Sequence, residues 1–124
     1  MKKHSKVILG SLNKYCGGWI IGSFIPHVLP AHDHEVGIKT YEAGEINKLH
    51  THKLTNEVNI IVSGLCEFNT YDPLTEEKQT YTLSAADFIL IPKNIYAEFI
   101  AIEKTTLVVY KDNSVPDDKY VMEN

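Results

Sequence analysis

The chain is short of several features that would narrow its function at once. Only two of its 124 residues are cysteines, Cys16 and Cys66. No spacing points to a disulfide between them, and Cys66 reads as a small apolar strand residue. Long hydrophobic runs are absent, and no segment approaches the length of a membrane span. Met1–Lys6 is polar, and the apolar stretch Val7–Leu9 is too short for the core of a signal peptide. The expectation is a cytoplasmic protein with reduced thiols and no membrane partner. An excess of basic residues is also lacking. The net charge is −4, and Lys2 and Lys3 are too few to form a basic arm. Nucleic acid is therefore not an expected partner. There is no internal repeat, no low-complexity linker and no sustained helical period.

What is present belongs to an ordinary globular protein. Hydrophobic residues make up 44% and charged residues 23%. At this length one domain, residues 1–124, can bury a core without staples. Short apolar stretches rich in Val, Ile, Thr, Tyr and Phe recur along it. They predict strands at Lys6–Leu9, Gly18–Phe24, Glu35–Tyr41, Glu57–Ser63, Leu65–Tyr71, Lys78–Leu83, Phe88–Ile91, Tyr96–Ile102 and Thr105–Lys111. Turn clusters separate them: "SG" at 63–64, "DPLTEE" at 72–77, "SAAD" at 84–87 and "PKN" at 92–94. Many short strands at near-regular spacing predict an all-β sandwich or barrel. Residues 1–34 then form an N-terminal strand and arm, and residues 112–124 a polar C-terminal tail. That tail either runs over the surface or is disordered throughout; Val115, Tyr120 and Val121 are apolar enough to dock.

The chemistry concentrates in "GEINKLHTHKLTNEVNIIVSG", residues 44–64. Residues two apart on an extended chain point the same way, so His50 and His52 can aim both imidazoles into one cavity. Glu57 lies beyond a bend at the start of the next strand, where its carboxylate can reach the same point. Gly44 and Gly64 suit the tight turns that bring these segments round.

This spacing resembles the first motif of the cupin superfamily: a glycine, five residues, His-x-His, four residues, a glutamate, six residues and a glycine. All five fixed positions match, over 21 residues. The resemblance implies a cupin-type antiparallel β-barrel, a jelly-roll-like sandwich of two sheets. It implies that His50, His52 and Glu57 bind a divalent metal ion, with Fe, Mn, Zn and Ni all compatible. It also implies small polar substrates, such as carbohydrates or keto acids, and reactions such as isomerisation, epimerisation or oxygenation. Cupins of this size are often homodimers, so a second copy is an expected partner.

A second cupin motif has a glycine, five residues and then Pro-x-Gly-x-x-His. Its counterpart is "ADFILIPKNIYAEF". Pro92 matches. Ala86 and Asn94 stand at the two glycine positions, and Asn tolerates positive φ next best after Gly. The histidine position holds Ala97, which cannot ligate. No histidine follows residue 52, so none can replace it from this motif. Alternation places Ile95, Ala97 and Phe99 on the cavity side as ligand-binding wall, and Glu98 outside. Another His-x-His, in "AHDHE" at 31–35, lacks the downstream glutamate and glycine. It reads as a solvated loop entering a strand, with His34 or Glu35 reaching the cavity as the alternative.

Two imidazoles and a carboxylate match the set used by non-haem iron, and also a three-ligand zinc site with water in the fourth place. The alternative is a metal-free pocket in which the three residues bond a polar ligand or each other. Asn59, on the same face as Glu57, can orient that carboxylate or a ligand. The opposite face of this strand, Val58, Ile60 and Val62, is apolar and should be covered, by the stretch "GWIIGSF" or by a second subunit. Trp19 is expected in the core or an interface. Lys39 could bind an anionic group, and Tyr41, Tyr81, Tyr96 and Tyr110 could line a pocket mouth, but no spacing selects any of them. Whether the protein turns its ligand over or only holds it stays open at this level.

Overall fold

The computed structural model describes residues 7–122. Two 3-10 turns, Leu12–Lys14 and Cys16–Gly18, lead into eleven strands. These are β1 Trp19–Gly22, β2 Leu29–Pro30, β3 Glu35–Tyr41, β4 Ile46–Thr51, β5 Glu57–Ser63, β6 Leu65–Tyr71, β7 Lys78–Ser84, β8 Phe88–Ile91, β9 Tyr96–Ala101, β10 Thr105–Lys111 and β11 Tyr120–Val121. They form two sheets. The first has the order β2-β1-β3-β10-β5-β8 and the second β11-β4-β9-β6-β7. All pairings are antiparallel except that of the short β2 with β1. The chain is an all-β sandwich, as its strand pattern predicts.

Alternation decides which side chains meet between the sheets. In β10, Thr105, Leu107 and Val109 are buried while the residues between them are not. In β9 the buried set is Ala97, Phe99 and Ala101. The apolar members of these sets make the core with Ile61, Cys66, Phe68 and Ile91. Phe99 sits at its centre, with ring centroids 4.6 Å from Tyr41 and 5.3 Å from Phe68. Such aromatic pairs contribute roughly 0.5–1.5 kcal/mol beyond area burial.

The turns are those that the sequence marks. Gly64 has φ +101°, and a Cβ there would lie 2.3 Å from the Lys104 carbonyl oxygen, so only glycine fits. Ala86 (φ 76°) and Asn94 (φ 69°) adopt the left-handed conformation that glycines would take more cheaply. The Asn94 N–H donates to the His52 carbonyl (2.8 Å), which ties the second motif's turn to the first motif's histidines.

Three expectations change. Val7–Leu9 forms no strand, and Lys6 lies outside the described residues. The stretch around Trp19–Gly22 does not cover β5; it extends the same sheet beside β3. Strand β4 carries the histidines yet was missing from the strand pattern. Its polar residues face in and Ile46 faces solvent, the reverse of a half-buried strand. A bulge between Asn47 and His50 disrupts its alternation further. Beyond β10 the chain crosses from the first sheet to the second. Ser114 donates to Glu35 (2.8 Å), buried Asp118 accepts from the N–H groups of Lys53 and Leu54, and β11 pairs with β4.

Candidate metal and ligand site

A cavity of about 190 Å³ opens between the sheets beside β4, β5, β9 and β10. His50, His52, Glu57, Asn59, Ala97 and Phe99 all line it. The bulge in β4 turns Asn47 inward along with His50, and His50 pairs directly across the ladder with Ala97. Ala97, where the second motif would have its histidine, is thus the immediate cross-strand neighbour of His50. Its methyl group is buried in the core and forms part of the cavity wall. Glu98 faces away and accepts from Asn69 Nδ2 (3.1 Å). Ile95 is not brought into this cavity. It packs at the edge of the core and lines a separate cleft with Tyr81, Ile89 and Ile91.

The hydrogen bonds set the tautomers. His50 Nδ1–H donates to the Lys48 carbonyl (2.6 Å), leaving the Nε2 lone pair free. His52 Nε2 accepts from the Lys111 ammonium (3.3 Å), which puts the ring proton on Nδ1, 3.9 Å from Glu57 Oε2. Asn59 Nδ2 donates to Glu57 Oε1 (3.0 Å), the orienting role its position suggested. The two rings stand nearly perpendicular, with centroids 5.3 Å apart. Burial lowers the pKa of both. For His52 burial and then the charge of Lys111 push it down to about 4. Both imidazoles are therefore neutral at pH 7, the state that ligates metal.

In kind, these donors fit a divalent ion: two neutral imidazoles, one held by a backbone carbonyl, and an oriented carboxylate. In placement they stop short of a finished cage. Among the described residues no three His, Cys, Asp or Glu side chains converge closely enough to hold an ion. The Lys111 ammonium takes the His52 lone pair instead, so an ion at His52 Nε2 requires Lys111 to withdraw.

Lys111, Lys119 and Asn47 are cavity residues that motif reading missed, and Trp19 and Tyr41 line the cavity beside them. Lys111 is the cross-strand partner of both Glu35 and Glu57. Its Nζ lies 3.8 Å from Glu35 Oε1, so Glu35 supports the site from behind Lys111 without entering it. His34 stays outside, paired with Asp33 and stacked on Tyr110. Trp19 packs against the core and also lines the cavity, with the ammonium groups of Lys39 and Lys111 4.8 and 5.0 Å from its ring centroid. Strand parity could have found Lys111, and could have singled out Lys39, which the sequence offered as an anion binder without a spacing to select it. Lys39 shares the face of buried Glu35 and Gly37, and Lys111 that of Leu107 and Val109.

No family model and no curated protein matches the chain. Solved structures do. An oxalate oxidase in complex with glycolate superposes with a TM-score of 0.63 at 15% identity, over 68% of this chain and 44% of that one. The capsular polysaccharide assembling protein CapF from Staphylococcus aureus gives 0.67 at 18% identity, over 77% of this chain and 28% of that one. A variant oxalate decarboxylase from Bacillus subtilis gives 0.68 at 15% identity, over 74% and 25%. The chain thus spans less than half the length of each of these proteins. At these identities the likeness is one of fold.

Proposed function

The chain has the fold of a small cupin, and from that premise we propose that it binds a small polar metabolite, carbohydrate-like or keto-acid-like, between its sheets. We propose further that His50, His52 and Glu57 hold a divalent metal ion there. The observation that carries this reading is that all three line one cavity, with Asn59 donating to the carboxylate. A bound ion would polarise a ligand oxygen as a Lewis acid. The chain's own residues orient the donors: the Lys48 carbonyl fixes the His50 ring and Asn59 fixes Glu57. The neighbours' names support small acids and saccharide chemistry as ligand classes. Two free thiols suit a reducing cytoplasm, and the apolar outer face of the first sheet suits a homodimer.

One observation favours a second reading, a metal-free binding pocket: the Lys111 ammonium on His52 Nε2. Elemental analysis separates the two. Protein purified without chelator or affinity nickel is compared with the His50→Ala/His52→Ala variant. About one ion per chain, lost in the variant, is the expected result for a three-ligand site. Sub-stoichiometric metal in both proteins would leave the metal-free reading.

A further inference from the structure

The cavity is a concentration of positive charge in a chain that is negative overall. The chain has twelve lysines and no arginine, and a net charge of −4. Three of those lysines, Lys39, Lys111 and Lys119, line the cavity, against one carboxylate in the lining, Glu57. Lys111 has a partner in Glu35 at 3.8 Å. Lys39 and Lys119 form no salt bridge among the described residues. Lys119 donates only to the neutral Asn47 Oδ1 (3.2 Å), and Lys39 has only the face of Trp19.

Clustered ammonium groups that are partly withdrawn from water are costly unless a counter-charge meets them. Burial first, and then the charge of Lys111, lowers the pKa of both Lys39 and Lys119. Nothing in the packing requires charge at these positions. Lys39 stands on an inward strand position where an apolar residue would complete the core. Lys119 is brought over the cavity by the tail, which Asp118 and β11 anchor on either side of it. Three separate elements therefore deliver ammonium groups to one cavity.

We propose that the cavity takes a small oxyanion, carboxylate or phosphate, whose charged oxygens lie against Lys39, Lys119 and Lys111. This deepens the reading of the cavity as the ligand site and rests on it. The volume of about 190 Å³ lies below the roughly 300–1,000 Å³ of drug-sized sites, which restricts the ligand to a small acid or a short phosphate ester. Of the ligand classes named above, the acid is selected over the neutral carbohydrate. The selection comes from lysines and needs no metal ion.

The test is calorimetric titration and thermal melting of the full chain at pH 7, after chelator treatment and desalting, at constant ionic strength. The probes are acetate, malonate and inorganic phosphate, with erythritol as the neutral comparison. At least one of the three anions should bind at one site per chain and raise the melting temperature, and erythritol should not. Preference for malonate or acetate identifies a carboxylate site, preference for phosphate a phosphate site. Lys39→Met and Lys119→Met should each weaken that anion roughly tenfold or more, as loss of one desolvated charge partner does. The exposed Lys104→Met should leave binding unchanged. Lys39→Met should also raise the melting temperature of the ligand-free protein, where a merely structural lysine would lower it. Undiminished anion binding in both cavity variants would overturn the proposal. So would binding that vanishes in the stripped protein and returns with added zinc or manganese, because the metal would then be the receptor. Binding of erythritol but no anion would keep the cavity as the ligand site and reject the anion. No binding of any probe would remove the cavity reading itself.

Discussion

At the scale of single residues, environment separates groups that share a chemistry. Cys16 is exposed, whereas Cys66 is fully buried and its thiol is pushed up to about 11 by burial. A thiolate is the reactive form, so Cys66 should be inert in the native chain. We predict one rapidly reacting thiol per native chain with a chromogenic disulfide reagent, and two after denaturation; two in the native state would contradict this burial. The site histidines give a pH dependence. Their folded pKa values lie below the ordinary 6.5, so the unfolded chain binds more protons as pH falls below that value. The stability they contribute is complete above pH 6.5 and is lost as pH drops to about 4, where His52 itself protonates in the fold. Melting temperatures of metal-stripped protein should fall across that window, and less steeply in His52→Gln. An equal slope in the variant would place the effect on other groups. The first motif showed these residues by spacing alone. The lysines had no motif, because a cation facing a cavity needs only inward parity, and parity recurs along every strand.

Elements show where local rules held and where they failed. Strands β3, β5, β6, β8 and β10 coincide with their apolar stretches, since each buries one face on the core. Strand β4 did not announce itself, because it spends its inward positions on Asn47, His50 and the bulge between them. Functional strands break pattern for this reason. The second motif's turns carry a consequence of the same kind. Ala86 holds φ 76° with its N–H on the Ile61 carbonyl (2.9 Å), so the turn is kept and the residue is strained. Ala86→Gly should stabilise the protein by about 1 kcal/mol in urea unfolding; a loss of stability would mean that the methyl group makes a compensating contact. The C-terminal segment depends on Asp118, which accepts two backbone N–H bonds while buried. Asp118→Ala should cost roughly 1.5–3 kcal/mol, the range for hydrogen bonds to a charged group. An unchanged midpoint would show that the segment is held by β11 alone.

For the whole molecule, the outer face of the first sheet is its most apolar exposed surface among the described strands. Register aligns Ile38, Val108, Ile60 and Phe88 in one row across four strands, and Val36, Tyr110, Val58 and Leu90 in the next. Phe88 is 69% exposed and Leu90 55%. Two adjacent apolar rows exceed the scattered exposure normal for a surface. A homodimer through this face is the expected outcome in sedimentation velocity at micromolar concentration. The double variant Ile60→Lys/Phe88→Lys should be monomeric with an unchanged circular dichroism spectrum. A monomeric wild-type chain would remove this face from consideration as an interface.

The sequence by itself determined the β class, most strand positions, the two turns that the motifs require, and the pairing of His50, His52 and Glu57 on one side of the barrel. These follow from period-2 alternation, turn chemistry and fixed spacing, all of which act over a few residues. Only the tertiary structure decided what stands beside those donors. Lys39, Lys111 and Lys119 are far apart in the chain, and they share a cavity because β3, β10 and the C-terminal segment meet there. Whether His52 offers its lone pair to a metal or to an ammonium depends on that meeting, since electrostatics is set by distance in space.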